Sequence, residues 1–203
     1  MAIVRRIMQM QNAQVRERDG KRYLEGYFAV FGKTYKVWDG WVETIANGAF
    51  ARWLAAGGDT KVLWNHNHDI VLGSTANGTA TLREDETGLW GSVLINEKDQ
   101  DAINAHARVE RGDVTGCSFG FEISRCEDWW DDEGVYHTKI LEVDPLYEVS
   151  PCTFPAYADT SISARDNHAL EDTRARYEAA REEYLKTWRS RMMGRLKGEN
   201  NGT

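Results

Sequence analysis

The stretch Thr115-Gly116-Cys117-Ser118-Phe119-Gly120-Phe121-Glu122-Ile123-Ser124 decides the architecture. Residues 116–120 match Gly-x-Ser-x-Gly, the pattern of a nucleophile elbow, which needs a helix directly after the serine. Here Phe119, Phe121 and Ile123 alternate with Gly120, Glu122 and Ser124, and period-two spacing predicts a strand. Ser118 is therefore read as part of a Gly-flanked strand, where a glycine marks a bulge that can still aim a hydroxyl into a cleft. Residues 135–143 alternate in the same way. The turn-forming Asp131-Asp132-Glu133-Gly134 lies between the two runs and makes them an antiparallel pair.

The same signals recur upstream. Residues 22–31 alternate, with Tyr23, Glu25, Tyr27, Ala29 and Phe31 on one side and Leu24, Phe28 and Val30 on the other, and the run ends at Gly32. Trp38-Asp39-Gly40-Trp41 is turn-like. Asn47-Gly48-Ala49-Phe50 opens a short helix that stops at Gly57-Gly58. Residues 61–65, 70–74, 79–83 and 88–95 read as strands, with Asn77-Gly78 as a hairpin turn. Residues 97–111 have helical spacing in Ile103, Ala107 and Val109 and end at Gly112. Many strands with few helices and no β-α-β rhythm indicate an α+β architecture on an antiparallel sheet or closed barrel.

The pattern changes near Asn167. Leu170, Tyr177 and Tyr184 recur every seven residues, followed by Trp188 and Met192, with charges between them. This predicts an amphipathic helix that packs on the body, pairs with another helix or serves as a detachable arm. Residues 198–203 are expected to lack fixed structure. Charge divides at the same place. Residues 1–164 hold 16 Lys+Arg and 25 Asp+Glu, and residues 165–203 hold 9 and 7. The chain is accordingly read as a body, 1–164, and a helical tail, 165–203.

The net charge of −7 argues against broad nucleic-acid binding. Three cysteines, Cys117, Cys126 and Cys152, cannot all pair, which fits a reducing compartment. No signal peptide is expected from the N-terminal residues, nor a membrane span from any apolar run.

Three segments carry chemistry. His66 lies in Leu63-Trp64-Asn65-His66-Asn67-His68-Asp69, Ser118 in the opening stretch, and Glu148 in Tyr147-Glu148-Val149-Ser150-Pro151. A base, a hydroxyl and a carboxylate are the parts of a nucleophile–base–orienter triad. Each also has a plainer reading: a hydrogen-bonding His at a strand end, a Ser in a strand, a Glu on an edge strand. Glu142 and Asp144 are competing acids. His66, His68 and Asp69 invite a metal reading, but a binuclear His-x-His-x-Asp-His pattern fails because Ile70 and Val71 follow Asp69. No metal and no cofactor are expected.

Five blocks in order resemble the prohead (capsid maturation) proteases of tailed phages. They are Tyr27-Phe28-Ala29-Val30-Phe31-Gly32, Glu43-Thr44-Ile45-Ala46-Asn47-Gly48-Ala49-Phe50, Leu63-Trp64-Asn65-His66, Ser118-Phe119-Gly120-Phe121, and Glu148-Val149-Ser150-Pro151-Cys152-Thr153-Phe154-Pro155-Ala156-Tyr157. The resemblance implies a mainly antiparallel closed β-barrel with flanking helices, related to the herpesvirus maturation proteases. It implies a serine endopeptidase with His66, Ser118 and Glu148 as catalytic residues and His68 as the alternative third member. Asn67 replaces the Asp that usually follows the catalytic His. The implied substrates are the scaffold or the scaffolding segment of the major capsid protein, and the chain's own termini. The implied partners are that capsid protein, the portal and further copies of the chain, with no nucleic acid and no membrane. The implied location is the assembling prohead in the bacterial cytoplasm. The rival readings are a non-catalytic capsid or scaffold barrel, and a small Gly-x-Ser-x-Gly esterase with a helix after Ser118.

Overall fold

The computed structural model describes residues 4–9, 11–153 and 167–199. Among them, two sheets share one core. The first sheet has seven strands, β1 (Val4–Gln9), β4 (Thr34–Trp38), β5 (Trp41–Ile45), β6 (Lys61–Trp64), β7 (Asn67–Ser74), β10 (Gly116–Trp130) and β11 (Tyr136–Cys152). The second has four, β2 (Gln11–Arg18), β3 (Lys21–Val30), β8 (Ala80–Glu84) and β9 (Gly88–Leu94), in the order β2-β3-β9-β8. Two helices, α1 (Ala51–Ala55) and α2 (Gln100–Glu110), punctuate the strands, and α3 (Asn167–Glu199) follows them.

β10 and β11 are the spine. The turn at residues 131–134 joins them, Gly134 takes φ +80°, and they pair antiparallel from Trp130↔Tyr136 to Gly116↔Cys152. On its other edge β11 is shared. Its first residues run parallel to β5, from Tyr136↔Trp41 to Ile140↔Ile45. Further along, Glu148↔Lys61 and Val149↔Val62 run parallel to β6. β1 covers the free edge of β10, with Ile7 opposite Ser118.

The expected antiparallel alternation holds, but the expected closed barrel does not. β1 and β4 end the main path of the first sheet, β2 and β8 end the second, and each has one strand partner. Asn77-Gly78 is a turn, with Gly78 at φ +67°, yet it is not a hairpin: β7 belongs to the first sheet and β8 to the second. A chain that changes sheet at this turn stacks two sheets instead of curling one into a cylinder. β1 and β2 are likewise consecutive strands on different sheets.

Leu24, Phe28, Leu89 and Val93 of the second sheet share one buried cluster with Phe119, Phe121, Ile140 and Val149 of the first. α2 contributes Ala102, Ala105 and Val109, spaced three and four apart, and Asp99 caps it by accepting from Asp101 N–H at 2.9 Å. The helix lies where its spacing predicts, but its buried face is turned toward Ala102 and Ala105, and Ala107 is exposed. In β3 a register shift between Tyr27 and Ala29 breaks the expected alternation, so Phe28, Ala29 and Val30 are all buried.

α3 lies on the far end of the β10–β11 pair. Tyr177 stacks on Trp41 with centroids 5.9 Å apart, and Tyr184 stacks on Trp130 at 4.6 Å. Arg176 Nη2 donates to Asp128 at 2.5 Å. Gly40, at φ +80° in the β4–β5 turn, leaves room for the Tyr177 hydroxyl, which would lie 2.9 Å from a Cβ there. The stripe read from Tyr177 and Tyr184 is the docked face, whereas Trp188, one turn on, is 48% exposed. No described helix is long and apolar enough to cross a membrane. Residues 154–157 of the last sequence block and residues 200–203 lie outside the described residues.

Candidate active site

Alternation along β10 sorts its side chains. Phe119 and Phe121 are fully buried in the shared core, and the Cys117 thiol, also facing the second sheet, donates to Phe28 C=O at 3.1 Å. Ser118 and Gly120 therefore take the opposite face. Directly paired residues of an antiparallel ladder share a face, and Ser118 pairs with Ser150, Gly120 with Glu148. Ser118, Gly120, Glu148 and Ser150 thus form one patch on a single side of the sheet. The chain after Ser118 continues as strand to Trp130, so Gly-x-Ser-x-Gly is not an elbow here, and the helix required by the esterase reading is absent.

His66 reaches this patch from a different element. Trp64 pairs with Asn67, leaving Asn65 and His66 as a two-residue loop between β6 and β7. Both take positive φ, 52° and 60°, as a type I′ turn requires. Asn enters this region readily, but for His it costs on the order of 1–2 kcal/mol. The parallel pairing of β6 with β11 brings the turn beside Glu148, and His66 Nδ1 lies 2.6 Å from Glu148 Oε1. The two side chains are 13% and 6% exposed.

The second carboxylate oxygen is also engaged. Ser150 Oγ donates to Glu148 Oε2 at 2.5 Å. A carboxylate only accepts, so His66 Nδ1 carries a proton, and in the neutral imidazole Nε2 is the nitrogen with the lone pair. Among the described residues, His66 Nε2 and Ser118 Oγ are both buried without a hydrogen-bond partner, and no bond joins them. An unpaired buried polar atom costs about 1–3 kcal/mol, and two in one small region call for a functional explanation.

Of the three residues read from sequence, His66 and Glu148 are in contact, and Ser118 shares the sheet face of Glu148 two ladder pairs away. His68, the alternative third member, is exposed on β7. Glu142 is held by Arg52 at 2.6 Å and by Ser124, and the Arg52 hydrogen bond keeps its carboxyl below the usual range. Cys152, on the patch face beyond Ser150, has its thiol pushed up to about 12 by burial and by the Glu148 charge. It is therefore a poor nucleophile at neutral pH. No cluster of three or more potential metal ligands occurs among the described residues.

Sequence reading missed Ser150 and Asn65, and it singled out Gly120 only as room for a substrate, not as the neighbour of Glu148. The signal for Asn65 was present, since Asn-His stands between two strands where Asn-Gly would be the ordinary turn. Gly120 shows its role only in space: a Cβ there would lie 2.8 Å from Glu148 Oε1. Gly120→Ala is expected to push the carboxylate off His66 without disturbing the backbone, because the clash is with the end of a flexible side chain. The expected result is a roughly tenfold to hundredfold lower kcat at nearly unchanged melting temperature, read by peptide hydrolysis and a thermal melt.

Residues 11–174 match the family model described as caudovirus prohead serine protease. The prohead protease of Enterobacteria phage HK97 is 32% identical over 152 residues, covering 72% of this chain and 61% of that protein. The matched part thus spans less than two thirds of that relative. The capsid assembly protease of bacteriophage T4 superposes with a TM-score of 0.47 at 10% identity, over 75% of this chain and 98% of that one. With the family match running through every element that builds the His66–Glu148 pair and the Ser118 strand, the chain belongs to the caudovirus prohead serine protease family.

Proposed function

We propose that this chain is a serine endopeptidase of phage head maturation, with Ser118 as nucleophile, His66 as general base and Glu148 as orienting carboxylate. The supporting observation is the buried 2.6 Å His66–Glu148 contact on the same sheet face as Ser118. In the proposed reaction Ser118 Oγ attacks a peptide carbonyl while His66 Nε2 takes its proton. His66 then passes that proton to the leaving amine, and water releases the acyl group by the same route. Glu148 keeps the Nδ1–H tautomer and stabilises the imidazolium. Nε2 and Oγ come into hydrogen-bond range when a substrate binds, as catalytic bonds that are open in free enzymes often do.

The proposed substrates are the scaffold or the scaffolding segment of the major capsid protein, and the chain's own termini. Cleavage takes place inside the assembling prohead in the bacterial cytoplasm. The proposed partners are the capsid protein, the portal and other copies of the chain. The body, residues 1–164, carries the chemistry, and the tail, residues 165–203, recruits the enzyme to scaffold or capsid helices by the part that the docked Tyr177–Tyr184 face leaves exposed, Trp188 included.

The test is co-expression of the chain with its capsid protein, wild type beside Ser118→Ala, followed by intact mass of both proteins. Discrete trimming of the capsid protein by wild type alone is the expected result, with rates differing by on the order of 10⁴-fold or more. Equal trimming by both would remove Ser118 as nucleophile. Trimming by neither, inside assembled shells, would favour a non-catalytic capsid or scaffold protein.

A further inference from the structure

We infer that Asn65 is a positioning residue for His66: its side-chain amide, clamped on Thr153, holds the β6–β7 turn in the conformation that presents the imidazole to Glu148. The inference rests on the proposed function for its catalytic consequence, though not for its geometry.

Asn65 is tied to the end of β11 by three bonds. Its backbone N–H donates to Pro151 C=O at 3.1 Å. Its Oδ1 accepts from Thr153 N–H at 2.8 Å, and its Nδ2 donates to Thr153 Oγ1 at 3.1 Å. These bonds extend the contact between β6 and β11 beyond the last ladder pair, Val149↔Val62. His66 is the next residue, and its partner Glu148 lies on the same strand within the ladder, paired with Lys61 and three residues before Pro151. The ladder thus holds β6 at the residue that His66 must meet, and the clamp fastens the turn to β11 three to five residues further on.

The clamp is needed because the turn is not one His would choose. A histidine at φ 60° occupies a position where glycine is ordinary, and its own side chain is committed to Glu148. A two-residue loop with no other anchor would pivot at Trp64 and carry the imidazole with it. The plainer alternative is that Asn65 serves only the turn, as an Asn suited to positive φ. That reading accounts for the backbone angle but not for the paired amide bonds to Thr153.

Three variants separate the two. Asn65→Gly keeps the positive φ and the N–H to Pro151 and loses both amide bonds. Asn65→Asp keeps an oxygen for Thr153 N–H and a second to accept from the Thr153 hydroxyl. Ser118→Ala is the reference for loss of the nucleophile. The first readout is kcat and KM on a peptide spanning a site that wild type cleaves. Asn65→Gly is expected to lower kcat by roughly tenfold to hundredfold at similar KM, and Asn65→Asp to recover most of it. The second is the downfield proton resonance of His66 Nδ1–H, assigned by its absence in His66→Gln and recorded in the Ser118→Ala background. It is expected to broaden or move upfield in Asn65→Gly and to persist in Asn65→Asp. A merely local role predicts a lower melting temperature with both readouts unchanged in the folded protein, and that result would overturn the inference. If Ser118→Ala still cleaves, the proposed function fails, and the resonance alone still decides the role of Asn65.

Discussion

Glu148→Gln is expected to lower kcat by on the order of 10⁴-fold while leaving the melting temperature close to that of wild type. The carboxylate accepts from His66 Nδ1–H and from Ser150 Oγ–H. A carboxamide of the same shape has one oxygen and one NH₂ in its place. If the NH₂ faces Nδ1, that nitrogen must accept, the proton moves to Nε2, and His66 cannot take a proton from Ser118. If the oxygen faces Nδ1, the NH₂ meets Ser150, which can turn its hydroxyl to accept, but the negative charge opposite the imidazolium is gone. Either way the loss falls on the charged transition state, so kcat drops and KM does not. Steady-state kinetics beside a thermal melt check this. A loss below tenfold would show that Glu148 is a structural acid and would return the third position to His68 or to no residue.

The largest expected effect on stability is at Phe119. Its ring is fully buried, 4.9 Å from Phe121 in a stacked pair and 5.9 Å from Phe50 edge-on. It joins β10 to the segment before α1 across the shared core. Phe119→Ala is expected to cost about 3–5 kcal/mol through lost burial and the cavity left behind. That is a large fraction of the stability of an ordinary domain. Chemical denaturation should show a lower midpoint at an unchanged slope. Phe119→Leu, which keeps much of the volume, should cost markedly less. Because Phe119 directly follows Ser118, a loosened β10 also moves the candidate nucleophile, and residual activity should fall with the folded fraction. A cost under about 1 kcal/mol for the Ala variant would mean that Phe119 does not pack as described.

How far the sequence could be read depends on the range of the interaction concerned. Alternation of Phe119 and Phe121 against Ser118 and Gly120 is a property of neighbours in the chain. It placed the strand and weighed against an elbow; the structure then showed no helix after Ser118 and put the serine on the face opposite the core. The turn at residues 131–134, the capped α2 and the Tyr177–Tyr184 stripe were legible for the same reason. The strands β1, β2, β4 and β5 were missed: β1 and β2 are rich in Arg and Gln, and β4 and β5 are only five residues each, so all four take their stability from partners more than from a long pattern of their own.

Sequence alone determined the three candidate side chains, the antiparallel β10–β11 pair and, through the five ordered blocks, the family. Only the tertiary structure decided that the sheets stack without closing. It also decided that Asn77-Gly78 carries the chain from one sheet to the other, and that β6 lies parallel to β11. That last pairing brings His66 to Glu148 across 82 residues of chain. Such a contact is written in no local period. It arises because burying Val62 and Val149 in the common core aligns the two strands, and the Asn65–Thr153 clamp then holds the turn at their ends.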